Sequence, residues 1–231
     1  MLYKSNMITQ ASGSIGGITA SRNRGGMYFR ARTVPTNPNT SFQADIRQAF
    51  SALSAGWSSL TAEQRAAWRL YAENSPVINS LGDPIKLSGQ QMFIRCNVAR
   101  LQAEMPIVPS GPTTFGVSNL SPVPNFEVTE STQNLDVDFS ETDEWAGQNG
   151  SNLLVYISRP VSPATNFFKG PFRFAGLIEG DAVSPPSPIV QITAPFVVTT
   201  GQHVFARLIA ALADGRLSNE RIIGPLEVVM A

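Results

Sequence analysis

The alternation of apolar and polar positions divides the chain into stretches of different period. From Thr40 to Glu104 it follows the three-four spacing of helices, and three helical runs open in the same way. Thr40-Ser41-Phe42-Gln43, Thr61-Ala62-Glu63-Gln64 and Ser88-Gly89-Gln90-Gln91 read as capping boxes, in which a hydroxyl and a glutamine amide satisfy N–H groups that a first helical turn leaves unpaired. The first run, 41 to 55, gathers Phe42, Ile46, Ala49, Phe50 and Leu53 on one side, with Gly56 as its expected stop and Trp57 just past the end. The second, 62 to 74, sets Ala67, Trp68, Leu70 and Tyr71 against Arg65, Arg69 and Glu73, and Pro76 ends it. Val77 to Leu87 predicts a small hairpin around Gly82-Asp83-Pro84.

The third helical run differs from the first. Met92, Cys96, Ala99 and Ala103 fall on one side and Ile94, Val98, Leu101 and Met105 on the opposite one, with narrow polar strips at Arg95 and Gln102 and at Asn97, Arg100 and Glu104. One apolar side suits the first two helices. The other, Ile94, Val98, Leu101 and Met105, must meet the following domain or another chain, and it is a candidate partner-binding surface.

Proline punctuation from 106 to 112 marks a linker, and after it the period shortens to that of strands. Phe126–Val128, Leu135–Phe139, Leu153–Ile157, Phe172–Phe174, Ile189–Ile192, Val204–Leu208 and Leu226–Val228 are short apolar runs separated by Gly, Pro, Asn and Ser. Seven such strands predict a two-sheet antiparallel sandwich over 113–231. Their order resembles the fibronectin type III and immunoglobulin-like class, above all in the final hairpin of His203–Ala210, the turn Ala213-Asp214-Gly215-Arg216, and Ser218–Val229. There is no inter-sheet cysteine pair and no tyrosine corner. The expected fold class is therefore α+β: an extended arm (1–39), a three-helix module with a short hairpin (40–105), a linker (106–112) and an antiparallel Ig-like β-sandwich (113–231).

The arm is rich in glycine, carries Pro35 and Pro38, and has apolar anchors at Ile8, Ile15, Ile18, Met27, Tyr28 and Phe29. Two outcomes are open. It lies as a strand or clip on a neighbouring subunit, or it packs on its own helices or stays disordered. In the first case Ile15, Ile18, Arg22, Arg24, Met27, Tyr28, Phe29, Arg30 and Arg32 are the contact residues. Gly13-Ser14-Ile15-Gly16-Gly17 lacks the Gly-Lys-Ser/Thr ending of a phosphate loop and the spacing of a dinucleotide loop, so nucleotide binding is not expected there.

Composition sharpens this reading more than it changes it. The 42% apolar content suffices for real cores, and the 15% charged content is low against the roughly 25% of an ordinary chain, which leaves surface for protein contact. The net charge of zero hides a gradient. Lys4, Arg22, Arg24, Arg30 and Arg32 precede the first acid, Asp45, and acids outnumber bases after Met105. Without interleaved aromatic platforms, the basic end does not predict direct nucleic-acid contact. No apolar run reaches the length of a membrane span, and the N-terminus lacks a secretory core, so synthesis in the cytoplasm is expected.

Candidate chemistry is sparse. The lone Cys96 excludes an intrachain disulfide and a cysteine zinc site, and His203, the single histidine, excludes a two-histidine metal site. Asp136, Asp138, Glu141, Asp143 and Glu144 form the densest acidic cluster, read as a solvated strand and loop. Trp57, Trp68 and Tyr71, at helical spacing, are read as core. Neither catalytic, cofactor nor metal residues are assigned, and no enzyme is expected.

A resemblance adds what the residues alone do not. Gly16-Gly17-Ile18, Met27-Tyr28-Phe29-Arg30-Ala31-Arg32, Pro35-Thr36-Asn37-Pro38-Asn39-Thr40, Gln43, Arg47, Trp57-Ser58-Ser59-Leu60-Thr61, Gln64-Arg65-Ala66-Ala67-Trp68 and Leu87-Ser88-Gly89-Gln90-Gln91-Met92-Phe93 resemble a group of tailed-phage and prophage virion proteins, over about residues 10 to 100. The resemblance implies a structural part of a virion. The modular organisation, an arm plus an Ig-like module suited to clamping shell subunits, adds the expected partners, the major capsid protein or neck or tail subunits, and a homo-oligomer within the particle. A capsid decoration or cement protein is the leading expectation. The alternatives are a neck, tail or baseplate component and, from another class, a host-glycan or receptor-binding module.

Overall fold

The computed structural model describes residues 11–23, 26–78, 84–116, 119–123, 125–187 and 189–230. The chain divides into two compact units, Met1–Gln43 and Ala44–Ala231.

The first unit contains a three-stranded antiparallel sheet of β1 (Gly13–Ile15), β2 (Ile18–Asn23) and β3 (Gly26–Ala31), in that order. Gly16 turns β1 into β2 at φ +57°, in the left-handed region where a side chain would be strained. Thus Gly13-Ser14-Ile15-Gly16-Gly17 is part of a hairpin and not a phosphate loop. The arm is paired strand over these residues, and not a single extended clip.

In the second unit, α1 (Ser41–Ser59, entering from the first), α2 (Ala62–Asn74) and α3 (Gly89–Gln102) are the three expected helices. Thr61 and Ser88 close complete capping boxes with Gln64 and Gln91. Thr40 and Gln43 exchange the same two bonds more loosely, at 3.4 Å each. Gly56 does not stop α1. The helix continues to Ser59 because Trp57, stacked at a tilt 5.8 Å from Phe93, and Leu60 anchor its last turn on the core. A Cβ on Gly56 would meet nothing within 4 Å. Gly56→Ala is therefore expected to stabilise the protein by about 0.5–1 kcal/mol, read as a higher midpoint in urea unfolding with an unchanged slope. The short strands β4 (Val77–Ile78) and β5 (Pro84–Ile85) pair as expected, and the turn expected at Gly82-Asp83 lies outside the described residues.

Seven strands follow: β6 (Phe126–Thr129), β7 (Asn134–Asp138), β8 (Asn152–Ser158), β9 (Phe172–Glu179), β10 (Ile189–Thr193), β11 (His203–Ala211) and β12 (Arg221–Val229). They join in the order β10-β7-β6-β12-β11-β8-β9. The sheet is antiparallel with one exception, since β12 meets β6 in parallel at Val228↔Val128 and Val229↔Thr129. β12 thereby belongs to two halves, pairing with β11 along its first part and with β6 at its end. The outer strands approach each other as the sheet curls. A Cβ on Gly176 of β9 would lie 2.8 Å from Ile192 of β10, so glycine is what permits the close approach.

Two apolar clusters hold this unit. One lies inside the curled sheet, from Val128, Leu135, Val137, Trp145, Leu153, Val155, Ile157, Val204 and Leu208. The other joins Leu53, Trp68, Tyr71, Met92, Phe93 and Cys96 of the helices to Leu154, Tyr156, Ala211 and Leu217 of the sheet. All seven residues of β8 are consequently buried, Leu153, Val155 and Ile157 facing one cluster and Leu154 and Tyr156 the other.

The stretch from 106 to 112 is pinned to the helices. Asn97, fully buried, donates to the Val108 carbonyl at 3.3 Å and accepts from its N–H at 2.8 Å. Arg100, 3% exposed, donates from Nε to the Pro106 carbonyl at 2.8 Å and from NH1 to the Leu212 carbonyl at 2.9 Å. These two side chains, read from the sequence as part of a polar strip, are instead interior hydrogen-bonding groups. They serve backbone that has no ladder of its own.

Candidate functional site

The small sheet of the first unit is the strongest candidate for contact with another molecule. Its register pairs Ile15 with Ile18, Ile18 with Ala31, Ala20 with Phe29 and Arg22 with Met27. Since successive residues of a strand alternate between faces, Ile15, Ile18, Ala20, Met27, Phe29 and Ala31 share one face, with Arg22 at its end. Ser14, Thr19, Ser21, Tyr28 and Arg30 share the other, where Ser14 and Thr19 are bridged by a 2.8 Å hydroxyl hydrogen bond. Part of the apolar face is exposed among the described residues. Ile15 is 88% and Ile18 55% exposed, whereas Met27 and Phe29 are half-buried.

The sequence-derived contact residues therefore separate. Ile15, Ile18, Met27 and Phe29 act together, Arg22 flanks them, Tyr28 and Arg30 point the opposite way, and Arg32 follows the end of β3. Arg24 lies outside the described residues, as does Ile8. The period-2 alternation of Ile18-Thr19-Ala20-Ser21 and Met27-Tyr28-Phe29-Arg30 is the signal for this face. It is short and split between strands, so the glycines dominate a first reading.

The second candidate surface is placed differently. Ile94, Val98 and Leu101 are half-buried against the helix–sheet cluster, and Met105 is 8% exposed within it. The sheet that follows meets much of that side of α3, one of the two outcomes its pattern left open, and Ile94, Val98 and Leu101 keep part of their surface exposed.

Several of the remaining polar groups are used locally. Asp143 accepts from the Ser121 hydroxyl at 2.6 Å, and Glu144 pairs with Arg216, which also bonds Asp214 at 2.7 Å. Asp136 and Asp138 lie on the side of β7 opposite its buried Leu135 and Val137. Among the described residues no three His, Cys, Asp or Glu side chains gather as a metal site. The Nδ1 of His203 lies 3.2 Å from the Thr165 carbonyl oxygen, at the start of β11. Trp68 and Tyr71 are core residues, at 0% and 2% exposure, and offer no stacking platform. Burial pushes the Cys96 thiol and the Tyr71 hydroxyl each up to about 12, so neither is a nucleophile near neutral pH. Among the described residues no helix is long and apolar enough to cross a membrane.

No protein-family model matches the chain, and no curated protein matches it. Among solved structures, the adhesin domain of Epf from Streptococcus pyogenes aligns with a TM-score of 0.33 and 11% identity, over 50% of this chain and 34% of that one. The aligned part spans about a third of the adhesin chain, and at that score the likeness carries no argument about fold or function.

Proposed function

We propose that this chain is a non-enzymatic structural subunit of a tailed-phage particle, a decoration protein docked on a neighbouring subunit through its N-terminal sheet. The observation that carries this reading is the apolar face of that sheet, with Ile15 and Ile18 exposed on a unit that is compact by itself. Three strands with exposed isoleucines on one face gain stability by burying them on another surface. The flanking Arg22 suits a partner with acidic groups at the rim of the contact. Resemblance of about residues 10 to 100 to virion proteins supplies the setting.

The same proposal takes the seven-stranded sheet as an immunoglobulin or fibronectin III-like sandwich. Strand order supports it. β10-β7-β6 and β12-β11-β8-β9 make a three-strand and a four-strand half around one core, joined where the last strand runs parallel to the first.

Replacing both isoleucines, Ile15→Asp with Ile18→Asp, is expected to abolish incorporation into particles while the unfolding of the rest of the chain stays unchanged. Each apolar side chain contributes about 1.5–3 kcal/mol when buried, so docking should weaken about a hundredfold or more. Incorporation is measured by quantifying the chain in purified particles. Normal incorporation of the double variant would refute the docking role. A copy number of hundreds supports decoration, and a few to a few dozen would move the protein to the neck or tail.

A further inference from the structure

We propose that the cleft between α3 and the outer face of β8 and β11 binds a small organic carboxylate. The cleft has a volume of about 550 Å³, within the range of small-ligand sites. Its polar lining comes from Arg95 and Gln102 of α3, Tyr156 of β8, Arg207 of β11, and Asn219 and Glu220 before β12. Val98, Ile209 and Leu217 supply an apolar wall.

The side chains here break the pattern around them. Apart from the bond of Arg100 to the Leu212 carbonyl, the contact between helices and sheet is largely apolar, with Leu154, Ile209, Ala211 and Leu217 clustered with Met92, Phe93 and Cys96. Into that contact β11 places Arg207, and α3 turns its polar strip of Arg95 and Gln102 toward the same space. A guanidinium in such a contact loses hydration, a cost that only a close anion or a set of acceptors offsets.

Arg207 has too few partners of its own. Its guanidinium carbon lies 4.5 Å from the centre of the Tyr156 ring and 5.3 Å from that of Phe172. Aromatic contacts of this kind hold the guanidinium by its face and leave its hydrogen-bonding edge for a ligand. The carboxylate it pairs with, Glu220, stays 3.7 Å from NH1 and is 56% exposed, beyond hydrogen-bond distance and wet. The Nε atom is buried without an acceptor. Arg95 is exposed and makes no ion pair among the described residues.

Two guanidinium groups against one carboxylate leave the cleft positive. A carboxylate matches the planar fork of Arg207 in two parallel hydrogen bonds, and an attached carbon skeleton can lie on the apolar wall. The amides of Gln102 and Asn219 are placed to read further hydroxyl or carbonyl groups. Gln102 accepts from the Tyr156 hydroxyl only at 3.4 Å, a long contact that a ligand group can replace. Glu220 is an internal competitor that an incoming carboxylate displaces.

Calorimetric titration of the full chain at low salt tests the site with three probes: glutarate, glucuronate and inorganic phosphate. Glutarate or glucuronate is expected to bind at millimolar concentration or below, and the preference between them tells an aliphatic acid from an acidic sugar. Arg207→Gln should weaken binding about tenfold or more, because a hydrogen bond to a charged group is lost. Arg95→Gln, at an exposed position that does not put the fold at risk, should weaken it severalfold, and Glu220→Gln should tighten it. The gain from Glu220→Gln is not a result that mere packing by Arg207 would give. Silence of both organic acids would overturn the proposal, as would phosphate binding as tightly as they do, or unchanged affinity in the Arg95 and Arg207 variants.

Discussion

Trp68→Ala is expected to destabilise the protein by about 3–5 kcal/mol, the usual cost of removing a large buried aromatic ring. In a unit of this size that lowers the thermal midpoint by roughly 6–20 °C, measurable by circular dichroism or calorimetry. The side chain is fully buried, and its ring meets Tyr71 and Phe93 edge-on at centroid distances of 6.0 and 5.6 Å. It also reaches outside the helices. Its Nε1 donates to the Pro109 carbonyl at 2.9 Å, and a Cβ on Gly215, in the turn between β11 and β12, would sit 3.5 Å from the ring. Trp68 thus touches the helical block, the proline-rich stretch and the sheet at once. Trp68→Phe separates the contributions, because it keeps most of the ring volume and removes the donor. A loss of about 1–3 kcal/mol is expected for Trp68→Phe, mostly from the Pro109 carbonyl left without its partner. A midpoint within a degree or two of the parent for Trp68→Ala would show that the three parts are not coupled through this ring.

Local signals were legible in the sequence, and signals that depend on distant partners were not. The capping boxes at Thr61 and Ser88 and the strand runs around Val128, Val137, Val155 and Leu208 depend on near neighbours, and each stands where its pattern puts it. Gly56 misleads because a glycine weakens a helix by only about 1 kcal/mol, less than Trp57 and Leu60 return by packing on the core. The parallel meeting of β6 with β12 joins Val128 to Val228, and no local pattern encodes a contact of that span. Arg100 is similar. Its position predicts a polar strip, yet one of its acceptors is the Leu212 carbonyl, 112 residues away. The arm is the intermediate case. Its alternation is present, but with strands of three and six residues it falls below the weight of its glycines. In the sequence Arg207 is only one residue of a strand, because its rings and its weak carboxylate come from β8, β9 and the segment before β12.

Cutting the chain before residue 113 is expected to leave a sheet that does not stay monomeric and soluble. The proline-rich stretch invites that cut, and as a free spacer it would permit it. The structure places an apolar surface beneath the helices, however, where Leu154, Tyr156, Ala211 and Leu217 are all buried and Phe174, Leu177 and Ile209 pack beside them. Removing residues 44–112 uncovers this surface on β8, β9 and β11 together. Leu154 alone would lose about 1.5–3 kcal/mol of burial, and the whole surface exceeds the scattered apolar exposure that soluble monomers tolerate. The fragment 113–231 should therefore aggregate or dimerise in size-exclusion chromatography and bind a hydrophobic dye, whereas 44–231 should run as a folded species. Polar replacements at the helix-facing positions, Leu154→Thr with Leu177→Thr and Ile209→Thr, should restore solubility to the fragment and destabilise the longer chain. That opposite response follows from one surface being covered in one case and bare in the other. A soluble, monomeric fragment 113–231 with the thermal midpoint of the full chain would show that the helices contribute nothing to the sheet.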